Sequence, residues 1–152
     1  KKPRVVNTNT NNQTNNLVVD KSINVHGKES KEHIDKEDIQ HLLKDAPTAV
    51  PNFIRLLHRP QENHNVDCPN KRRSIYRILE NQDGEKVWEH RSKGEVLAAM
   101  YEAASDILEV AADEDTPWGR RFLEFQTRVR DSMDGDAKDG GRLYREQLDK
   151  IH

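Results

Sequence analysis

His58, His64 and Cys68 stand in one short stretch, NFIRLLHRPQENHNVDC (52–68), which holds two of the chain's seven histidines and its only cysteine. Imidazole and thiolate groups are the usual ligands of zinc, which takes four of them in a tetrahedron, often as two pairs brought together by the fold. The spacing here, five intervening residues and then three, matches no common finger, and a fourth ligand would have to come from His41 or His90. His58 reads instead as the end of an amphipathic helix, where a cation suits the helix dipole. His64, between Asn63 and Asn65, reads as part of a turn. The string ENHN is superficially like an HNH nuclease, but such a site needs a general-base His beside metal ligands on a ββα unit. Here the hairpin follows the His rather than presenting it. No metal and no cofactor are expected.

Other catalytic signatures are missing: there is no G-x-x-x-x-G-K-[ST], no G-x-S-x-G and no H-E-x-x-H. DSMDGDAKDGG (131–141) lacks the carboxylate order and the closing Glu of a calcium loop. The carboxylates fall on solvent faces, where charge pairing is the default. A non-enzymatic role is therefore expected. A basic run, Lys71, Arg72 and Arg73, is the one local candidate for touching phosphate.

The elements that must position these groups come from a lean composition. Of 152 residues, 33% are apolar and 34% charged, with mean hydropathy −1.04. Such a chain cannot bury a large core along its whole length. The net charge of −2 argues against a whole-chain basic surface for nucleic acid. One cysteine excludes an intramolecular disulfide. No stretch reaches the about 18 apolar residues of a membrane span, so no membrane partner is expected. The start, KKPRVVNTNTNNQ, has no apolar core of a secretory signal. Without an initiator Met the chain is read as a fragment or a processed form.

Local signals give the order of elements. Residues 7–16, NTNTNNQTNN, read as a flexible arm. Leu17, Val19, Ile23 and Val25 follow as a strand or extended segment that has little to pack on and so pairs with another element or chain. Asp35 caps a short helix that Pro47 ends, and Thr48 caps a second with Pro51 in its first turn. Residues 74–90 read as a β-hairpin turning at Asp83-Gly84. Ser92 and Glu95 open a long amphipathic helix. Thr116 and Pro117 open another, whose stripe Trp118, Phe122, Phe125, Val129 is set to pack on the preceding helix or on a partner. A last helix carries Leu143, Tyr144, Leu148 and Ile151. The expected fold is α+β: short helices plus a β-hairpin in a small core, with an extended N-terminal arm (1–26), a small domain (27–112) and a C-terminal helical extension (113–152).

The order of segments resembles a C-terminal module of proteins from nucleocytoplasmic large DNA viruses. The resemblance lies in the Asn-rich run, INVHGKESKEHI, then IDKEDIQHLL, VPNFIRLLHRPQENHNV, and a hairpin ending KVWEHRSKGEVL. In that module the pattern runs from an Asn-rich stretch to an IN-x-x-G-x-E strand, an IH…PENHN turn and a Trp hairpin. The likeness spans roughly residues 7–105 and is most specific at 51–66, where Asn63, His64 and Asn65 match the turn. Members generally lack a Cys at the position of Cys68. The module often follows a zinc-finger or KilA-N-like domain, which implies a DNA-associated protein acting in host cytoplasm or nucleus, or in the virion. The expected role is an assembly module that forms homo-oligomers, a dimer or a trimer, and meets other viral proteins and DNA. Leu17, Val19, Ile23, Val25, Trp118, Phe122, Phe125 and Val129 are the expected assembly residues. The alternatives are a minor capsid or cement protein and an HNH-like metal nuclease.

Overall fold

Asp35 starts the first helix as its sequence requires. Its carboxylate accepts the amide of Asp38 and the Asp38 carboxylate accepts the amide of Asp35, a reciprocal pair that satisfies donors left over at a helix start. The computed structural model describes residues 20–69, 72–134 and 136–152. The run at 7–16, Leu17, Val19 and Lys71 lie outside them. The described elements are α1 (Lys36–Leu43), α2 (Ala46–Leu57), a single 3-10 turn (Gln61–Asn63), β1 (Val66–Asp67), β2 (Ile75–Gln82), β3 (Glu85–Ser92), α3 (Lys93–Ala111), α4 (Pro117–Met133) and α5 (Arg142–Ile151). The fold is α+β, as expected, with one antiparallel sheet in the order β1-β2-β3. No helix of the described residues is long and apolar enough to cross a membrane.

The hairpin forms where the turn residues place it. Asp83 and Gly84 both take positive φ, 53° and 87°, the pair of conformations that matches the right-handed twist of two antiparallel strands. Tyr76 and Ile78 then point to the helices and pack on Val96 and Leu97. α3 and α4 begin at Ser92 and Thr116, whose hydroxyls accept the amides of Glu95 and Gly119. Gly119 is required there, since a Cβ would lie 2.0 Å from the Asp113 carbonyl oxygen.

α2 departs from expectation. The sequence pattern puts Pro47 at the end of α1 and Pro51 in the first turn of α2. The helix begins earlier, at Ala46, so Pro47 takes the first turn, where a missing amide costs nothing. Pro51 then falls inside the helix. A proline there has no N–H to give the carbonyl four residues back, and that carbonyl belongs to Pro47. Two side chains of α5 fill the place: Gln147 Nε2 donates to the Pro47 oxygen at 2.9 Å and Lys150 Nζ at 3.2 Å. Gln147 is a fully buried polar residue of the helix expected to form the C-terminal extension.

The main core surrounds α2. Ala49, Val50, Phe53, Ile54 and Leu57 meet Leu43, Tyr101, Ala104 and Leu108, and the group is completed by Phe122, Phe125 and Val129 of α4. This corrects the assembly role expected of those three α4 residues. They are buried inside their own chain and offer no surface to a partner. Trp118 packs at the edge of the same core, with the Lys44 ammonium 5.3 Å from its ring centre. Leu143, Tyr144, Leu148 and Ile151 of α5 also pack on it, so α4 and α5 supply walls of the core.

The replacement of a backbone donor by Gln147 is testable. Gln147→Ala is expected to cost about 1 kcal/mol by urea denaturation, because it removes the shorter of the two side-chain hydrogen bonds to the Pro47 carbonyl. In a Pro51→Ala background, where residue 51 has an amide of its own, the same change is expected to cost clearly less. Equal costs in both backgrounds would show that Gln147 acts by packing alone.

Candidate functional site

The C-terminus of α2 leaves its last carbonyls without helical donors, and side chains take them up. His58 closes the helix, and its Nδ1 donates to the Ile54 oxygen at 2.9 Å. His33 Nε2 donates to the Leu56 oxygen at 2.7 Å. Asn63 Nδ2 donates to the oxygens of Leu57 and of Ser30, both at 2.8 Å. Its Oδ1 accepts from the Ser30 amide and from Asn24 Nδ2, both at 2.9 Å. A fully buried amide side chain thereby uses its whole hydrogen-bonding capacity.

Asn65, two positions on and equally buried, donates to the Asn24 oxygen at 3.0 Å and to Glu29 Oε2 at 2.8 Å. Glu29 Oε2 also accepts the Gly27 amide at 2.9 Å. Two imidazoles face the same oxygen: His58 Nε2 at 3.6 Å and His26 Nδ1 at 3.8 Å. These are ion-pair separations, too long for direct hydrogen bonds. Backbone bonds finish the attachment. The Asn24 amide donates to the Glu62 oxygen, while the Leu79 amide donates to Asn65 and the Leu79 oxygen accepts from His26. Residues 24–26 and 65 thus cover the edge of β2 just beyond the short β1.

The segment expected to be a strand pairing with another element or chain meets elements of its own chain from Asp20 on. Residues 20–29 form no ladder, because their backbone groups are taken up singly by Glu62, Leu79, Asn65 and Lys86. Ile23 is buried and Val25 half-buried. Ile23 is thus covered by its own chain, which corrects the assembly contact expected of it.

The charges in this clasp divide unevenly. Burial opposes ionisation of Glu29, but the His58 imidazole, the Gly27 amide and the Asn65 amide outweigh it and bring its pKa down to about 2. Burial likewise opposes the charge on His58, yet Glu29, the Ile54 carbonyl and Asn65 raise its pKa above the ordinary value. His26 goes the other way. Burial pushes it down, and the pull of Glu29 is partly cancelled by the neighbouring His58. Glu29 thus favours its anion and His58 its protonated form, beside a second imidazole that favours the neutral form.

Two hollows flank His58. One, about 240 Å³, has Phe53, Leu57, Met100 and Ile107 on its apolar side and His26, Glu29 and His58 at its polar end. The other, about 300 Å³, is lined by His58, His64 and Cys68 together with Arg55, Tyr76 and His152. His58, His64 and Cys68 do meet at one groove. Polar groups around it already have partners, however: His64 Nε2 meets the Arg59 carbonyl at 3.1 Å, and the Tyr76 hydroxyl meets His152 Nδ1. Among the described residues, no group of three or more His, Cys, Asp or Glu side chains is arranged to hold a metal ion.

Arg72 and Arg73 are exposed on the loop between β1 and β2. Residue-by-residue reasoning missed Glu29 and His26. The signal that marks Glu29 is the IN-x-x-G-x-E spacing, whose Asn24 and Glu29 meet Asn63 and Asn65 of the ENHN turn while Gly27 donates to Glu29; His26 stands at an unspecified position of that pattern.

The clasp predicts a pH signature. Glu29, with its folded pKa lowered, contributes stability present above its ordinary value of 4.5 and lost as pH falls toward about 2. His58, with its folded pKa raised, contributes stability present below 6.5 and lost as pH rises through the folded value. Removing one member of a buried pair costs about 3 kcal/mol, so Glu29→Gln is expected to lose about that much near pH 5.5. The loss should shrink on the acid side as the wild-type carboxylate protonates. Denaturation curves across pH check this, and a loss independent of pH would refute the ion-pair reading. The chain matches no protein-family model, no curated protein and no solved structure.

Proposed function

We propose that the chain is a non-enzymatic assembly module of a large DNA virus protein, joining copies of itself and other viral proteins. One observation supports the reading above the rest. The residues that carry the resemblance, Asn24, Gly27, Glu29, Asn63 and Asn65, are occupied with one another and with backbone groups. Their shared pattern thereby has a structural reason, the docking of a leading segment onto a rigid body, and requires no reaction. In this reading the residues ahead of Asp20, with Leu17 and Val19, contact neighbouring chains. Arg72 and Arg73, with Lys71, lie on DNA phosphates where the protein is DNA-associated. The module acts in host cytoplasm or nucleus, or within the virion.

Multi-angle light scattering of the full chain tests the proposal. The expected mass is two or three times the monomer's 17.6 kDa. A monomer that persists at about 100 µM, a concentration that would populate even a weak dimer, overturns it.

A further inference from the structure

The two edges of the sheet are treated differently. Along β2 the edge is closed by β1, then by Asn65 and His26. Along β3 the outer edge, Glu85–Ser92, pairs with no strand among the described residues. A long unpaired edge is a template for another strand unless its side chains prevent it. The side chains of β3 are charged, which ordinarily prevents pairing. Their order matters, because a second copy of the same strand brings the same charges in reverse.

Symmetry narrows the choice. Positions along an antiparallel pair alternate between hydrogen-bonded and non-hydrogen-bonded. A two-fold axis relating two β3 strands must therefore pass through a residue facing its own copy. If Val87 faces itself, Glu85 falls opposite Glu89. If Glu89 faces itself, the two carboxylates meet on the axis. If His90 faces itself, only residues 88–92 overlap and two imidazoles meet. If Trp88 faces itself, residues 85–91 pair throughout. Glu85 then stands opposite Arg91 at both ends, Lys86 opposite His90, Val87 opposite Glu89, and the two indoles meet at the centre. Opposite charges and aromatic pairs directly across a ladder are favourable, and like charges are not. Only the Trp88-centred register combines this overlap with paired opposite charges and no facing carboxylates.

We infer that β3 pairs with β3 of a second copy in the Trp88-centred register, making one continuous six-stranded sheet across a two-fold axis. This deepens the assembly reading and rests on it. The contact is isologous, so it closes as a dimer and does not propagate. On the Leu79 side of the sheet, to which Trp88 belongs by its pairing, the two indoles cover each other. On the helix side, Arg91 keeps its internal partners Glu80 and Glu89 and gains Glu85 of the second copy.

Charge exchange tests the register. Glu85 is exposed at the strand start, so Glu85→Arg leaves the monomer's fold intact, which circular dichroism checks. The substitution sets a guanidinium against that of Arg91 at both ends of the ladder, and sedimentation equilibrium is expected to show dimerisation weakened at least about tenfold. Arg91→Glu alone should do the same by placing carboxylate against carboxylate. Mixing the two variants lets each strand end find a partner of opposite sign, and the mixture is expected to dimerise more strongly than either variant alone. Where Arg91→Glu fails to fold, the double variant E85R/R91E supplies the rescue, since it restores both opposite pairs within one homodimer. A wild-type chain that assembles but ignores Glu85→Arg, or charge reversals that recover neither on mixing nor in the double variant, would overturn the β3 contact and leave the assembly reading standing on another surface. A wild-type chain that stays monomeric would overturn both.

Discussion

A buried helix whose carbonyls lack their own donors is the constraint on which the other elements depend. α2 is the most enclosed element of the chain, with Ala49, Val50, Phe53, Ile54 and Leu57 all buried. Its interior proline removes one donor and its end removes several more. One face of the helix is closed to water although Pro47 itself lies at the surface, and a carbonyl buried without a partner costs about 1–3 kcal/mol. Side chains from other parts of the fold claim them: Gln147 and Lys150 at one end, His33, His58 and Asn63 at the other.

This explains how so polar a chain holds together. Apolar contacts around α2 supply the bulk of the core, but the direction from which each neighbour approaches is set by hydrogen bonds. α5 is the clearest case. Its apolar stripe, Leu143, Tyr144, Leu148 and Ile151, would pack on any greasy groove, and Gln147 specifies the one beside Pro47. The leading segment repeats the device. With few apolar residues to anchor it, it is fastened by Asn63, Asn65 and Glu29, whose geometry admits little slippage.

The clasp also links stability to protonation. Glu29 and His58 are matched charges in a setting where an uncompensated one would be expensive, and His26 beside them favours neutrality. The sheet presents a different balance. Its β2 edge is covered by the chain's own backbone, and its β3 edge carries charges whose order is self-complementary in one register.

Elements governed by neighbours within four residues were legible from the amino acids alone. The Asp83-Gly84 hairpin, the starts of α1, α3 and α4, and the stripe of α4 follow from turn conformation, side-chain caps and helical period, and all depend on local chemistry. The extent of α2 was misjudged because Pro47 can end one helix or begin the next, and only the position of Lys44 and Asp45 between two packed helices decides which. The destinations of Ile23, Phe122, Phe125 and Val129, the pairing of Glu29 with His58 and Asn65, and the meeting of Pro47 with Gln147 belong to tertiary structure. Each joins residues far apart in the chain, and a side chain's donors do not reveal which distant acceptor the packed core will bring within about 3 Å.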